Sequence, residues 1–223
     1  MITFGDFKVA VHAIIPVKKL AQSKKRLSAV FTPQERAMLT LAMLEDVLNA
    51  LKASAVDKVV IVAEDFQVQE TAEQFGASYR FANGATLNSS IEETTSYCVE
   101  KGAQSILVLP ADVPLVNSEE INRIIQLADD GNPAVVLSPS HDWGTNALYQ
   151  NPPKLIPACF GPESFINHIR EAFRNDVSVR LHFSNQLAAD IDSVEDLKKI
   201  FEIKNTTISK RFLEQINFNS KVP

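Results

Sequence analysis

Five residues, Ile106-Leu107-Val108-Leu109-Pro110, form an unbroken apolar run, with Gly102 shortly before it and Pro110 at its end. A run that short, with no polar alternation, reads as a central strand covered on both faces, which points to a parallel sheet packed between helices. Two residues past Pro110 comes Asp112, and a second proline stands at position 114. In open α/β sheets the carboxyl ends of buried strands are where ligands bind, so Asp112 is the first candidate functional residue. A lone aspartate in a turn also commonly caps the next element. Other parts of the chain have to decide between these two roles.

The order of elements supports the sheet. Residues 9–16, 58–63 and 79–82 predict three further strands, and residues 134–138 another. Thr32 before Pro33, with Glu35 completing a capping box, predicts a helix to about Lys52. Shorter helices are expected from about Gln67 to Gly76, from Ser89 or Ser90 with Glu92 and Glu93 in the first turn, and from Ser118 to Gly131. Past Pro139 the alternation breaks. One short strand lies among the turn residues from His141 onward, and a second short stretch at 156–160 precedes Gly161-Pro162 and a helix to about Arg174. Residues 177–183 alternate as a strand with one wet face, residues 188–192 read as the last strand, and Ser193 caps a helix to about Phe201. One more helix fits residues 208–216. The expectation is one α/β domain over residues 1–223, its tail from about 204 without an assigned place. Its sheet is mostly parallel, flanked by helices, with an antiparallel element in the second half. Neither G-x-G-x-x-G nor G-x-x-x-x-G-K-[ST] occurs, so the common dinucleotide and P-loop cradles are absent.

Charge narrows the chemistry. The chain is 45% hydrophobic and carries a net charge of −5, with no run of membrane length, so neither a nucleic-acid coat nor a membrane partner is expected. Cys98 and Cys159 match no metal or redox spacing, and with no apolar leader they read as free, buried thiols in a reducing cytoplasm. Between Phe7 and Gln34 there is no acidic residue, yet Lys8, Lys18, Lys19, Lys24, Lys25 and Arg26 all fall there. An acidic protein that keeps one segment purely basic has a natural place for an anion.

Asp190-Ile191-Asp192 is the second acidic site. In extended chain, residues two apart share a face, so both carboxylates point one way and Ile191 the other. At ~7 Å two such charges repel by roughly 2–2.5 kcal/mol at an effective dielectric of 20, and Asp112 adds to this if the strand ends are neighbours. A divalent cation relieves that repulsion, and all-oxygen ligation favours Mg²⁺ or Mn²⁺. Cations facing a polyphosphate, with carboxylates holding a metal across it, suit phosphoryl or nucleotidyl transfer. Nothing points to covalent chemistry: neither cysteine has a basic neighbour, and His12, His141, His168 and His182 lie in no nucleophile motif.

Several blocks of sequence carry a family resemblance. Ile15-Pro16-Val17-Lys18, Ser23-Lys24-Lys25-Arg26-Leu27, Glu35-Arg36 and Ala42-Met43-Leu44-Glu45-Asp46 resemble the 2-phospho-L-lactate guanylyltransferase family. So do Leu109-Pro110-Ala111-Asp112-Val113-Pro114, Gly144-Thr145-Asn146-Ala147-Leu148, Phe160-Gly161-Pro162-Glu163-Ser164-Phe165 with His168, and Asp190-Ile191-Asp192. The resemblance implies a single-domain, nucleotidyltransferase-A-like fold of the nucleotide-diphospho-sugar transferase type and a place in coenzyme F-420 biosynthesis. It implies that a phosphate oxygen of 2-phospho-L-lactate attacks the α-phosphorus of GTP, giving lactyl-2-diphospho-5′-guanosine and pyrophosphate. Related members take phosphoenolpyruvate or 3-phosphoglycerate, and the family suggests a homodimer.

By the same resemblance Asp112, Asp190 and Asp192 hold the metals, and Lys18, Lys24 and Arg26 grip the triphosphate. Thr145, Gly161 and Ser164 contact the phospho-acid. Gly161 ahead of a helix with Ser164 in its first turn suits an anion pocket of backbone N–H groups. Thr86-Leu87-Asn88 stands where the family usually has Gly-Leu-Asn, which makes Asn88 a candidate nucleobase contact. His141-Asp142-Trp143 stands where a glycine-rich approach to Gly144 is expected.

Overall fold

The computed structural model describes residues 9–82, 86–128, 131–202 and 206–221. Lys8, residues 83–85 of the polar loop and the start of the tail at 204 lie outside the described residues. Among the described residues seven strands form one sheet: β1 (Val11–Pro16), β2 (Lys58–Ala63), β3 (Ser78–Phe81), β4 (Ser105–Val108), β5 (Ala134–Pro139), β6 (Thr145–Asn151) and β7 (Ser178–Leu181). Their order is β3-β2-β1-β4-β6-β5-β7, so the apolar run that begins in β4 does sit in the middle. Of these strands, β6 alone runs against the rest, pairing antiparallel with both β4 and β5. It is the antiparallel element expected of the second half.

Helices α1 (Pro33–Lys52), α2 (Phe66–Phe75), α3 (Leu87–Glu100), α4 (Ser118–Leu127) and α5 (Ser164–Arg174) cover the sheet. The capping box is formed as expected: Glu35 N–H donates to Thr32 Oγ1 at 3.2 Å, and Thr32 N–H to Glu35 Oε2 at 2.8 Å. Alternate residues of β1 feed opposite cores. Ala13 and Ile15 pack with Leu44, Val47 and Ile121 on one face, while Ile14 packs with Ile91, Ile106 and Phe165 on the other. Beyond them α6 (Asn185–Ala188) is a single helical turn, followed by α7 (Val194–Glu202), α8 (Ile208–Gln215) and the short α9 (Phe218–Lys221). A third cluster joins Leu27, Leu39, Met43 and Ile191 to Leu197 and Ile200 of α7, Phe212 and Leu213 of α8, and Phe218. Asp46 of α1 anchors α8 by accepting from Ser209 N–H at 3.0 Å. The described part of the tail, which the sequence left unplaced, is thus docked on α1.

Four local expectations are corrected. Residues 188–192 form no strand, because an irregular segment follows the single turn of α6. Residues 156–160 are also irregular. Helix α3 starts at Leu87, because Thr86 and not Ser89 is its N-cap, accepting from Ser89 N–H at 3.2 Å. Glu92 and Glu93 therefore lie beyond its first turn. Cys98 is buried, but Cys159 is only half-buried. Among the described residues no helix is long and apolar enough to cross a membrane.

Strand order reverses between β1 and β4, since β1 leads outward to β2 and β3 while β4 leads toward β6 and β5. The crevice at the carboxyl ends of these two strands is where such a sheet accepts ligands.

Candidate active site

The loop leaving β1 is pinned at both ends. Leu20 and Leu27 are buried pegs, 3% and 0% exposed, and the guanidinium of Arg36 on α1 donates to the Ser23 carbonyl at 3.2 Å and to that of Phe31 at 3.1 Å. Between the pegs Lys24 adopts left-handed backbone angles, φ 48° and ψ 42°. A non-glycine residue there costs roughly 1–2 kcal/mol and persists only where the surroundings enforce it. The strained turn delivers the Lys24 ammonium to 2.8 Å from Asp112 Oδ2 and 2.8 Å from Asp192 Oδ1, with its side chain 5% exposed. Lys18, Lys25 and Arg26 remain exposed along the same cavity. Lys19 leaves the group and pairs with Glu64 at 2.7 Å.

The acids reach this point from two directions. Asp112 follows β4. The segment after α6 is tied to it by the Ile191 N–H, which donates to the Asp112 carbonyl at 3.0 Å. Ile191 is 0% exposed in the third cluster, a burial that stabilises by roughly 1.5–3 kcal/mol. Asp190 and Asp192 on either side of it both line the cavity. The alternation read from the sequence therefore survives without a strand. Asn146 of β6 secures the segment by donating to the Leu187 carbonyl at 2.7 Å and to Asp190 Oδ1 at 3.4 Å.

Electrostatics separates Asp112 from Asp190. Burial pushes Asp112 up, but the charge and hydrogen bond of Lys24 override it and hold the group below its ordinary range, with Lys18 adding to the effect. Burial also works against a charged Lys24, and Asp112 and Asp192 reverse this, so its ammonium is more basic than usual. Asp190 goes the other way: burial and then the Asp112 charge raise it, and Asn146 compensates only in part.

A cavity of about 520 Å³ is lined by Lys18, Lys24, Arg26, Asp112, Asp190 and Asp192 together with Thr145, Gly161 and Ser164. Thr145 is the first residue of β6, not part of a turn, and Ser164 is the first of α5. The expected pocket of backbone N–H groups is partly closed. Ser164 N–H donates to the Gly161 carbonyl at 3.2 Å, and Phe165 N–H to that of Trp143 at 3.3 Å. Gly161, at φ +129°, holds a conformation that suits glycine.

Asn88 does not line this cavity. Its amide braces Phe160, donating to the carbonyl at 3.1 Å and accepting from the N–H at 2.8 Å, while neighbouring Leu87 faces the cavity. Its amide supports the wall that carries Gly161, and Asn88 lines a neighbouring cavity with Phe160 and Gly161. Asp142 is a cavity residue that sequence reasoning missed. Ser140 Oγ and Gly144 N–H donate to it, and these bonds, with Arg26 nearby, hold it below the ordinary carboxylate range despite some burial. Its one signal in the sequence is the Asp-x-Gly turn.

The donor chemistry suits a hard divalent cation, since three carboxylates share one edge and Asp190 has too little compensating positive charge. Yet no group of three or more acidic, histidine or cysteine side chains is already arranged as a metal cage among the described residues. Lys24 occupies the position between two of the acids.

The segment behind Asp192 is itself pH-sensitive. Asp196 accepts from Ser193 N–H at 2.9 Å and Asp192 N–H at 3.2 Å and pairs with Lys199 at 2.8 Å. Burial would raise it, but these partners together bring it down to about 2. Because the folded value lies below the unfolded ~3.9, this stabilisation is present above pH ~4 and lost as pH falls toward 2. Asp196→Asn is expected to lower stability by about 2 kcal/mol at pH 7 and to flatten the acid limb. Urea melts at pH 7 and pH 3 check it, and an unchanged acid dependence would refute it.

Comparison with known proteins agrees with this geometry. The family model for "Guanylyl transferase CofC like" matches residues 11–223. The phosphoenolpyruvate guanylyltransferase of Rubrobacter xylanophilus is 39% identical over 192 residues, covering 86% of this chain and 94% of that protein. The 2-phospho-L-lactate guanylyltransferase of Methanothermobacter thermautotrophicus is 32% identical over 210 residues, covering 94% and 92%. In fold, a Desulfovibrio desulfuricans G20 protein described as a nucleotide-diphospho-sugar transferase superposes with a TM-score of 0.76 at 15% identity, covering 94% of this chain and 96% of that one. A match over nearly the whole described chain, on a sheet whose switch-point crevice gathers cations and acids, settles the lineage: the chain belongs to the CofC-like guanylyl transferase family.

Proposed function

We propose that this protein joins GMP from GTP to a three-carbon phospho-acid, as a step of coenzyme F-420 biosynthesis. The observation that carries the reading is the cavity that brings Lys18, Lys24 and Arg26 together with Asp112, Asp190 and Asp192, and with Thr145, Gly161 and Ser164. An oxygen of the acceptor phosphate attacks the α-phosphorus of GTP. The new P–O bond forms as the bond to the β-phosphate bridge breaks, and pyrophosphate leaves. A phosphate nucleophile is already ionised at neutral pH, so the site needs no general base. It needs charge neutralisation and in-line placement.

Lys18, Lys24 and Arg26 are the groups to neutralise the triphosphate, and Thr145, Gly161 and Ser164 to hold the acceptor. Asp112, Asp190 and Asp192 would hold Mg²⁺ or Mn²⁺, which when bound supplies charge stabilisation at the transferring phosphorus. Phosphoenolpyruvate is the first-choice acceptor, supported by the 39% identity to an enzyme named for it. The second reading is 2-phospho-L-lactate, the acceptor to which the sequence resemblance points, supported by the 32% relative.

The test is a product assay with GTP and each phospho-acid, read by mass spectrometry and pyrophosphate release, with ATP as a control nucleotide. A guanylylated phospho-acid with either acceptor supports the reading, and the faster acceptor decides between the two. No conjugate with either acid, or equal rates with ATP, would overturn it.

A further inference from the structure

His168 is fully buried, at 0% exposure, and packs edge-on against Phe160 with ring centroids 4.9 Å apart. Its two ring nitrogens have different partners. Nε2 lies 2.9 Å from the Cys159 N–H, a group that can only donate, so Nε2 must be the unprotonated nitrogen. In the neutral ring the proton is then on Nδ1, which lies 3.0 Å from Thr145 Oγ1. Burial keeps the ring neutral, bringing its pKa down to about 4 against the opposing pull of the Ser164 backbone. Toward a protonated nitrogen Thr145 Oγ1 can only accept. Its own hydrogen is left to donate elsewhere, and Thr145 lines the cavity together with Gly161 and Ser164.

We propose that His168 is a positioning residue: by keeping its proton on Nδ1 it makes the Thr145 hydroxyl a donor that selects an anionic oxygen of the acceptor. This rests on the proposed function, in which Thr145 faces the phospho-acid. A carboxylate or phosphate oxygen can only accept, so the arrangement favours it over an ammonium group at that point. The same ring, through Cys159, holds the stretch of chain that leads into Gly161, which couples the two parts of the acceptor wall.

The first test needs no variant. Nitrogen-15 NMR of the imidazole side chains should show His168 as the Nδ1–H tautomer across pH 6–8, and an Nε2–H tautomer would overturn the inference whatever the activity. The second test is kinetic. Thr145→Val should raise KM for the phospho-acid about 10- to 100-fold, the size of one hydrogen bond to a charged group, with KM for GTP changing less than about twofold. His168→Phe should do the same, and the double variant should be no worse than the poorer single one, because both remove one hydrogen bond. His168→Asn, which keeps a donor near the Nδ1 position, should recover part of the loss. An unchanged acceptor KM in His168→Phe, or effects that multiply in the double variant, would show a merely structural histidine. If the unsubstituted enzyme makes no guanylylated phospho-acid, the proposed function fails, while the tautomer measurement still stands.

Discussion

Asp112→Asn is expected to lower kcat at least ~10²-fold while the protein stays folded, as loss of a charge-stabilising group at a reacting centre commonly does. Asparagine keeps the shape, and Lys24 keeps its second contact, to Asp192 at 2.8 Å, so the pinned loop retains an anchor. The charge that disappears belongs to a carboxyl held in its ionised form by Lys24 and Lys18. With that charge gone the like-charge pressure on Asp190 also falls, and its carboxyl returns toward its ordinary range, because Asp112 is the main charge raising it. On the proposed function, GTP binding measured without divalent cation should weaken little or improve, since a negative group has left the cavity. Steady-state kinetics with saturating Mg²⁺, beside a thermal melt, reads both effects. Turnover within a few-fold of the parent in a folded variant would refute the assignment of Asp112 to the reacting centre.

The centre of the sheet was legible because β1, β2, β4 and β5 are short and largely apolar and α1 begins with a recognisable cap. Residues 106–110 and the Thr32–Glu35 box need no distant partner to be understood. The failures at residues 188–192 and 156–160 share one cause, dependence on contacts far away in sequence. Residues 188–192 have the pattern of a strand, but Ile191 is fixed by the Asp112 carbonyl and by a cluster built from α1, α7 and α8, so no strand partner is needed. Residues 156–160 are apolar because they close over the sheet, with Ile156 N–H satisfied by the Gln150 side chain at 2.9 Å. The brace that Asn88 gives the Phe160 backbone, 72 residues away, has no local signal either. The bridging position of Lys24 could not be read at all. A basic run announces an anion site, but nothing local says which lysine bends back to acids 88 and 168 residues later.

That bridge sets the second large effect. On the proposed function, in which Lys24 is one of the cations on the triphosphate, Lys24→Ala is expected to weaken GTP binding at least ~10²-fold, since a lost charge-assisted hydrogen bond is worth ~1.5–3 kcal/mol. Stability should fall less, by about 1–2 kcal/mol, because Asp112 and Asp192 are 25% and 40% exposed and water can reach the carboxylates left behind. Backbone strain allows these two effects to be separated. At φ 48° alanine is strained much as lysine is, whereas glycine is not, so Lys24→Gly should melt higher than Lys24→Ala. If the ammonium matters for its charge, both variants bind GTP equally poorly despite different stabilities. If Lys24 matters only as a shape that holds the loop, GTP affinity will track the melting temperature and glycine will bind better. Calorimetric titration of GTP beside thermal melts distinguishes the two, and an affinity within about threefold of the parent in either variant would remove Lys24 from the nucleotide site.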